Sequence, residues 1–134
     1  MIHLLDTNVC VALLRGFRKS VVRELSQLNQ SEVALCSVVK AELYYGALAS
    51  ANPERSLEIL REFYSGFLCF PFDDSAAEAY GPLRKVLSQT GKLIGPNDLL
   101  IAAIALCRGA TLVTHNTGEF SRIPGLHIVD WEAD

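Results

Sequence analysis

The sequence predicts an α/β fold in which helices flank a central, mostly parallel, twisted sheet of four to five strands. Apolar runs of strand length alternate with segments of helical periodicity, an order typical of βαβ units. The chain has 134 residues, half of them hydrophobic and a fifth charged, which suits one globular domain with its own core. No repeat, low-complexity stretch or linker interrupts it. We therefore expect a single domain spanning residues 1–134.

Three strands and four helices are predicted up to residue 72. Gly16 breaks the first helix, and the second has apolar residues at helical spacing. Ser37 is the expected N-cap of the third helix, and Asn52 with Pro53 starts the fourth. The predicted strands are 2–6, 33–36 and 68–72, and the predicted helices are 8–15, 20–28, 38–49 and 53–63.

The second half is predicted to add two helices and two strands. Ser75 and Glu78 form a capping-box signature for a helix that ends at Gly91. The next helix, 97–107, is the most apolar and is expected to lie buried at the centre, with Gly109 as its C-cap. Strands are expected at 111–114 and 126–129, the latter at a sheet edge.

Composition limits the classes of function. The longest apolar stretch, 99–107, is too short to span a membrane, and no signal peptide is visible, so a cytoplasmic location is expected. The net charge of −3 argues against broad electrostatic binding of nucleic acid, although an acidic metal site in a nuclease would contribute to that charge. The four cysteines lack zinc spacing, and we expect buried free thiols.

Four oxygen-bearing side chains are the candidate site: Asp6, Glu42, Asp98 and Asn116. Asp6 is the last residue of one predicted strand and Asn116 lies at the end of another, and such strand ends open on the crevice where α/β sheets bind ligands. Singly, Asp98 could favour a helix dipole and Asp6 could cap a helix. Glu42 lies mid-helix on an apolar face, where a carboxylate needs a partner. Together the four favour a Mg²⁺ or Mn²⁺ site and phosphodiester chemistry.

The chain resembles the PIN-domain ribonucleases, in particular the VapC-type toxins of bacterial toxin–antitoxin pairs. The resemblance is collinear over the whole length and depends on several separate motifs. They are LLDTN at 4–8, SVVKAELYYG at 37–46, GPNDLLIAA at 95–103, LVTHN at 112–116 with Glu119-Phe120, and IPGL at 123–126 with Asp130-Trp131.

The resemblance implies a PIN-like fold and an endoribonuclease that depends on Mg²⁺ or Mn²⁺. The family's acidic residues correspond to Asp6, Glu42 and Asp98, and its fourth acid falls at Asn116. An amide there binds a metal only through a neutral carbonyl, so the site loses a charge. Glu119 could supply the missing carboxylate directly or through water. Metal-assisted attack by water should leave 5′-phosphate and 3′-hydroxyl ends.

The surroundings of this site also carry expectations. Thr7 and Thr114 are placed to hydrogen-bond carboxylates or water beside the metal. His115 could act as a base, but strand alternation is expected to send it to the face opposite Thr114 and Asn116. The residues expected to hold RNA phosphates are Arg15, Arg18, Lys40 and Lys92.

Partners follow from the resemblance. It implies a homodimer, a cognate antitoxin that inserts a C-terminal peptide near the acidic pocket in a higher assembly, and a structured RNA substrate such as tRNA. No membrane association is expected. Two alternatives remain open at this point: a PIN fold that has lost catalysis and binds RNA or protein, and a metal-dependent phosphatase or phosphotransferase. The second normally needs a second Asp close behind the first, whereas Thr7 and Asn8 follow Asp6.

Overall fold

A five-stranded, entirely parallel sheet forms the centre of the protein in a computed structural model that describes residues 1–16 and 18–132. The strand order is β3-β2-β1-β4-β5, which confirms the predicted fold class. The strands are β1 (His3–Leu5), β2 (Val33–Cys36), β3 (Leu68–Phe70), β4 (Thr111–Val113) and β5 (Ile128–Val129).

Helices connect and cover these strands. They are α1 (Thr7–Arg15), α2 (Lys19–Ser26), α3 (Ser37–Leu48), α4 (Pro53–Tyr64), α5 (Asp74–Gln89), α6 (Pro96–Arg108) and α7 (Thr117–Phe120), with a short 3₁₀ turn at Gln30–Glu32. All six predicted helices are present, with ends that differ by a residue or two in most cases. The 3₁₀ turn and α7 were not predicted, because three or four residues are too short to show helical periodicity. Among the described helices, none is long and apolar enough to cross a membrane.

The hydrophobic core lies around β1 and α6. β1 is the central strand, with two strands on each side of it, and its residues Leu4 and Leu5 are completely buried. Residues 101–105 of α6 are also completely buried, so the expectation that this helix is central is confirmed. Cys10 and Cys36 are buried free thiols as expected, whereas Cys69 is exposed because β3 forms an edge of the sheet.

Two predicted helix caps are wrong. The N-cap of α5 is Asp73, whose carboxylate accepts a hydrogen bond from the backbone N–H of Ala76 at 3.1 Å. Ser75 therefore lies inside the helix, because a carboxylate two residues earlier already satisfies the open N–H groups. Cys36 occupies the cap position of α3 without a side-chain bond, and Ser37 is the first helical residue. The predicted Asn52 cap of α4 is confirmed by its bond to the Arg55 N–H.

The strand order places a topological switch point between β1 and β4. Successive strands extend from β1 towards β3 on one side, and the chain returns to β4 on the other side of β1. Ligands bind in α/β sheets outside the carboxyl ends of the strands at such a point. Asp6 directly follows β1 and Thr114 directly follows β4. The fold therefore brings the ends of the two predicted motifs to one edge.

Candidate metal centre

Asp6 combines a capping role with a place in the acidic site. It is 4% exposed, and its Oδ1 accepts a hydrogen bond from the Val9 N–H at 2.9 Å, which makes it the N-cap of α1. Burial raises the pKa of Asp6, hydrogen bonds from Thr114 and Val9 oppose that rise, and the nearby Glu132 and Glu42 add to it. The capping interpretation is thus correct, but it does not exclude the site, because the same carboxylate interacts with a second carboxylate.

Glu42 is held by a threonine from another helix. The Thr7 hydroxyl donates a hydrogen bond of 2.6 Å to Oε1 of Glu42, joining α1 to α3. The carboxylate is half-buried and borders a groove between α1, α3 and α4. The expected contact of Thr7 with a carboxylate is therefore present. This hydrogen bond holds Glu42 near the end of β1, which Asp6 directly follows.

Asp98 lies in the first turn of α6, beside the other acidic residues. Its pKa is raised to about 6, chiefly by burial and then by the charges of Glu119, Glu42 and Asp6 and by a hydrogen bond with Glu119. A role restricted to the helix dipole would lower this pKa, because the positive helix N-terminus favours the ionised form. Burial and the neighbouring carboxylates therefore outweigh the helix dipole at Asp98.

Asn116 and Glu119 form the fourth side of the site. The Asn116 Nδ2 donates a hydrogen bond of 2.7 Å to Oε2 of Glu119, and the Asn116 backbone N–H donates one of 3.0 Å to Oγ1 of Thr114. Because its amide nitrogen is engaged by Glu119, the atom of Asn116 that can face a cation is the carbonyl oxygen. Glu119, on α7, also reaches Asp98. Glu119 thus connects α7 to α6.

The donor set fits a hard divalent cation. Asp6 directly follows β1, and three further carboxylates lie on α3, α6 and α7; each of the four interacts electrostatically with at least one of the others. Asn116 adds a carbonyl oxygen. Oxygen donors of this kind are the ligands that Mg²⁺ and Mn²⁺ prefer. Burial is the main cause of the raised pKa values of Asp6 and Asp98, and the charges of neighbouring carboxylates raise both further. A bound cation would relieve the repulsion between these carboxylates.

A second group of ionisable residues packs more tightly. Among the described residues, His115, Asp130 and Glu132 bring one ligand atom each to within 4.8 Å of one another. The His115 Nδ1 lies 3.0 Å from Oδ2 of Asp130 and 3.8 Å from Oε2 of Glu132. The hydrogen bond to Asp130 raises the pKa of His115, as does the charge of Glu132. Arg18 Nε also contacts Glu132, at 2.8 Å, and so competes with any cation there.

His115 faces solvent, since its side chain is 63% exposed, and it borders the same cavity as Asn116. Its Nδ1 contacts Asp130, whereas the Thr114 hydroxyl contacts the Asn116 backbone N–H. The sequence interpretation missed Asn8 and Glu132, which border this cavity. Glu132 follows β5, and a fifth parallel strand ending at the same edge was the available signal.

The four basic residues expected to hold RNA are dispersed. Arg15 borders the groove that contains Glu42, and Arg18 borders the cavity beside Asn116. Lys40 is partly buried, with its Nζ 4.6 Å from the centre of the Tyr64 ring, so it is engaged in a cation–π contact. Lys92 is exposed and borders neither cavity. Arg15 and Arg18 thus remain the better placed candidates.

Known proteins share this sequence and fold. The PIN domain model matches residues 3–126. The chain is 40% identical over 128 residues, 96% of each chain, to the tRNA(fMet)-specific endonuclease VapC of Shigella flexneri. It is 41% identical over 133 residues to the ribonuclease VapC2 of Rickettsia felis, covering 98% of this chain and 99% of the relative. The fold also matches a chain in the crystal structure of VapBC2 from Rickettsia felis bound to a DNA fragment from their promoter. The TM-score is 0.91 and the sequence identity is 40%, and the match covers 98% of this chain and 99% of that chain.

The parallel sheet, its acidic edge and these matches define the class: the chain belongs to the PIN-domain family. Within that family it is similar over nearly its whole length to VapC ribonucleases. The resemblance inferred from the sequence is therefore confirmed. The solved relatives include complexes of VapBC pairs, one from Rickettsia felis and one from Salmonella typhimurium bound to DNA.

Proposed function

We propose that the protein is a metal-dependent endoribonuclease and the toxin of a toxin–antitoxin pair. The observation that carries the proposal is the set of carboxylates at the switch point, where burial and then the charges of Glu119, Glu42 and Asp6 raise the pKa of Asp98. The ribonuclease names of the relatives support the substrate class. The name of the Shigella flexneri relative further supports a structured substrate, and we take tRNA as the class to test first.

Each residue of the site has a role in this proposal. Asp6, Glu42 and Asp98 are the proposed direct ligands of Mg²⁺ or Mn²⁺, and Asn116 or Glu119 completes the donor set. When bound, such a cation activates water and stabilises negative charge on a phosphodiester. Thr7 keeps Glu42 in position through the 2.6 Å bond. Thr114 holds both Asp6 and the Asn116 backbone, so it fixes the ends of β1 and β4 relative to each other.

The groove beside Glu42 supports the proposed antitoxin partner. It encloses about 330 Å³ between α1, α3 and α4. Its walls are mostly apolar, including Val11, Leu43 and Leu60, and Thr7 and Glu42 are the polar residues nearest the metal centre. An amphipathic peptide could place its apolar residues against these walls and a basic residue against Glu42, because a guanidinium can pair with a carboxylate in a bidentate manner. Such a residue would compete with the cation and block the site.

An RNA cleavage assay tests the proposed function. Purified protein should cleave tRNA with Mg²⁺ or Mn²⁺ and lose that activity in EDTA. Products should carry 5′-phosphate and 3′-hydroxyl ends. Asp6→Asn or Asp98→Asn should abolish cleavage while the protein stays folded. Metal-independent cleavage would overturn the mechanism, and RNA binding without any cleavage would favour the non-catalytic binding module.

A further inference from the structure

A second cavity adjoins the candidate metal centre. It encloses about 440 Å³, within the roughly 300–1,000 Å³ typical of small-ligand sites. Its polar lining consists of Asn8, Arg18, His115, Asn116 and Glu132. Asn116 belongs to both the cavity and the metal centre, and Glu132 is close enough to Asp6 to raise its pKa. The cavity is therefore the space into which a chain would pass if its phosphate lay at the metal centre.

Two exposed side chains of this cavity, Arg18 and His115, are held in position by carboxylates that are largely buried. The side chain of Arg18 is 62% exposed, whereas its partner Glu132 is only 14% exposed. His115 is 63% exposed, whereas its partner Asp130 is only 17% exposed. In each pair a largely buried carboxylate fixes one nitrogen of an exposed side chain. These contacts use Nε of Arg18 and Nδ1 of His115, so they do not consume the guanidinium's terminal amino groups or Nε2 of the imidazole.

This arrangement suits an anionic, hydrogen-bonding ligand better than a second metal ion. The permanent charge of Arg18 lies 2.8 Å from the carboxylate that a metal would need. Guanidinium groups match the geometry of phosphate oxygens. The exposed amide of Asn8 can both donate and accept hydrogen bonds, as contacts with ribose and base require. The chemistry shared by these groups is that of a nucleotide.

We propose that this cavity binds the nucleotide adjacent to the scissile phosphate, with Arg18 on its phosphate and His115 and Asn8 on its sugar or base. The proposal rests on the proposed ribonuclease function and adds the residues that position its substrate. Arg18 and His115 are positioning residues, because they act on the RNA beside the reacting phosphate. Their carboxylate partners reduce the entropy lost when the side chains engage RNA.

Kinetics and binding with tRNA test this proposal. Arg18→Ala should raise KM at least about 5-fold and leave kcat within about 2-fold, since loss of uniform binding acts on KM alone. In EDTA, in an Asp98→Asn background, Arg18→Ala should weaken tRNA binding measured by fluorescence anisotropy. The slope of log K against log salt should fall by about 0.7 to 0.9, the value for one lost phosphate contact. His115→Ala and Asn8→Ala should weaken binding with little change in that slope.

Arg55 provides a matched control. It too is paired with a glutamate, Glu58, and its side chain is 65% exposed, but it lies on α4 and borders neither cavity. Arg55→Ala should leave KM, affinity and salt slope unchanged. Because Arg18→Ala removes the closer of the two cationic groups beside Glu132, the double variant Arg18→Ala/Glu132→Gln should recover stability without recovering affinity.

Three outcomes are distinguishable. If the wild type cleaves RNA in a metal-dependent way but Arg18→Ala behaves like Arg55→Ala, the cavity proposal is wrong and the proposed function stands. If Arg18→Ala weakens binding of an antitoxin and not of RNA, the cavity is a protein contact and the proposal is also wrong. If the wild type does not cleave RNA at all, the proposed function fails instead.

Discussion

Asp98 has a pKa of about 6 because burial and the charges of Glu119, Glu42 and Asp6 all disfavour its ionised form. Its folded-state value lies above the unfolded-state value of 3.8, so the folded protein holds the proton more tightly. The resulting stabilisation is complete below pH 3.8 and disappears as the pH rises through 6. At neutral pH the ionised Asp98 carboxylate therefore destabilises the metal-free protein.

Asp98→Asn should consequently stabilise the metal-free protein at pH 7. We expect the free energy of unfolding in EDTA to rise by about 1–2 kcal/mol, less than the full pKa shift implies because solvent screens part of the charge. The gain should shrink towards pH 4, which thermal unfolding across this pH range would show. Asp74→Asn is the matched control, since Asp74 is an exposed aspartate in the first turn of α5. A gain in both variants would mean that general charge reduction, and not the site, is responsible.

Thr7 acts on the site through a single hydroxyl. Thr7→Val should remove the 2.6 Å hydrogen bond to Glu42 and lower kcat about 10- to 100-fold with little change in the melting temperature. Thr7→Ser retains the hydroxyl and should restore most of the activity. Steady-state cleavage rates measure the difference. Equal activity of the Val and wild-type proteins would show that Glu42 needs no support.

At the scale of elements, α7 joins the end of β4 to the metal centre. Asn116 precedes this four-residue helix and Glu119 lies within it, so the two side chains meet at 2.7 Å. A replacement at one position therefore acts on the other. Because the two side chains are in contact, a double-mutant cycle can test whether they share the role of fourth ligand.

Asn116→Asp should tighten Mg²⁺ binding by adding a charged ligand, and it should destabilise the metal-free protein by placing a carboxylate against Glu119. Glu119→Gln should reduce activity in the wild type but less in the Asn116→Asp background, because the new carboxylate can replace the lost one. Cleavage rates and metal-dependent melting temperatures of the four proteins form the cycle. Additive effects would remove Glu119 from the site.

The longer elements could be predicted from the sequence, and the finer ones could not. The apolar runs of β1 and β2 and the buried face of α6 have strong local periodicity, so these elements were predicted nearly residue by residue. The cap of α5 was misplaced because Asp73 and Ser75 are both good caps, and the sequence does not say which one the chain uses. Glu42 and Asp98 could be selected as candidates because they stand in apolar segments.

The partners of those carboxylates were harder to predict. The cavity lined by Asn8, His115 and Glu132 depends on how the segment after β5 packs against α1, a long-range contact without local pattern. The same holds for the pairing of Arg18 with Glu132, which lie 114 positions apart in the chain. Sequence periodicity reports on one element at a time. Contacts between distant loops require the folded chain.

At the scale of the whole molecule, the outer face of α3 exposes apolar residues. Tyr45 is 75% exposed and Leu48 is 59% exposed on the same helix as Glu42. We predict a homodimer in solution and a tighter complex when an antitoxin is bound. Size-exclusion chromatography with light scattering would measure both masses. A monomer at micromolar concentration would contradict the homodimer prediction.

Binding of Mn²⁺ distinguishes two groups of potential ligands that lie at the same edge of the sheet. Calorimetric titration would compare wild type, Asp98→Asn and His115→Ala, which alter the acidic centre and the His115–Asp130–Glu132 group respectively. Asp98→Asn should lose Mn²⁺ binding, and His115→Ala should retain it. Retained binding in Asp98→Asn with loss in His115→Ala would rule out the acidic centre as the metal site and place the cation beside Arg18.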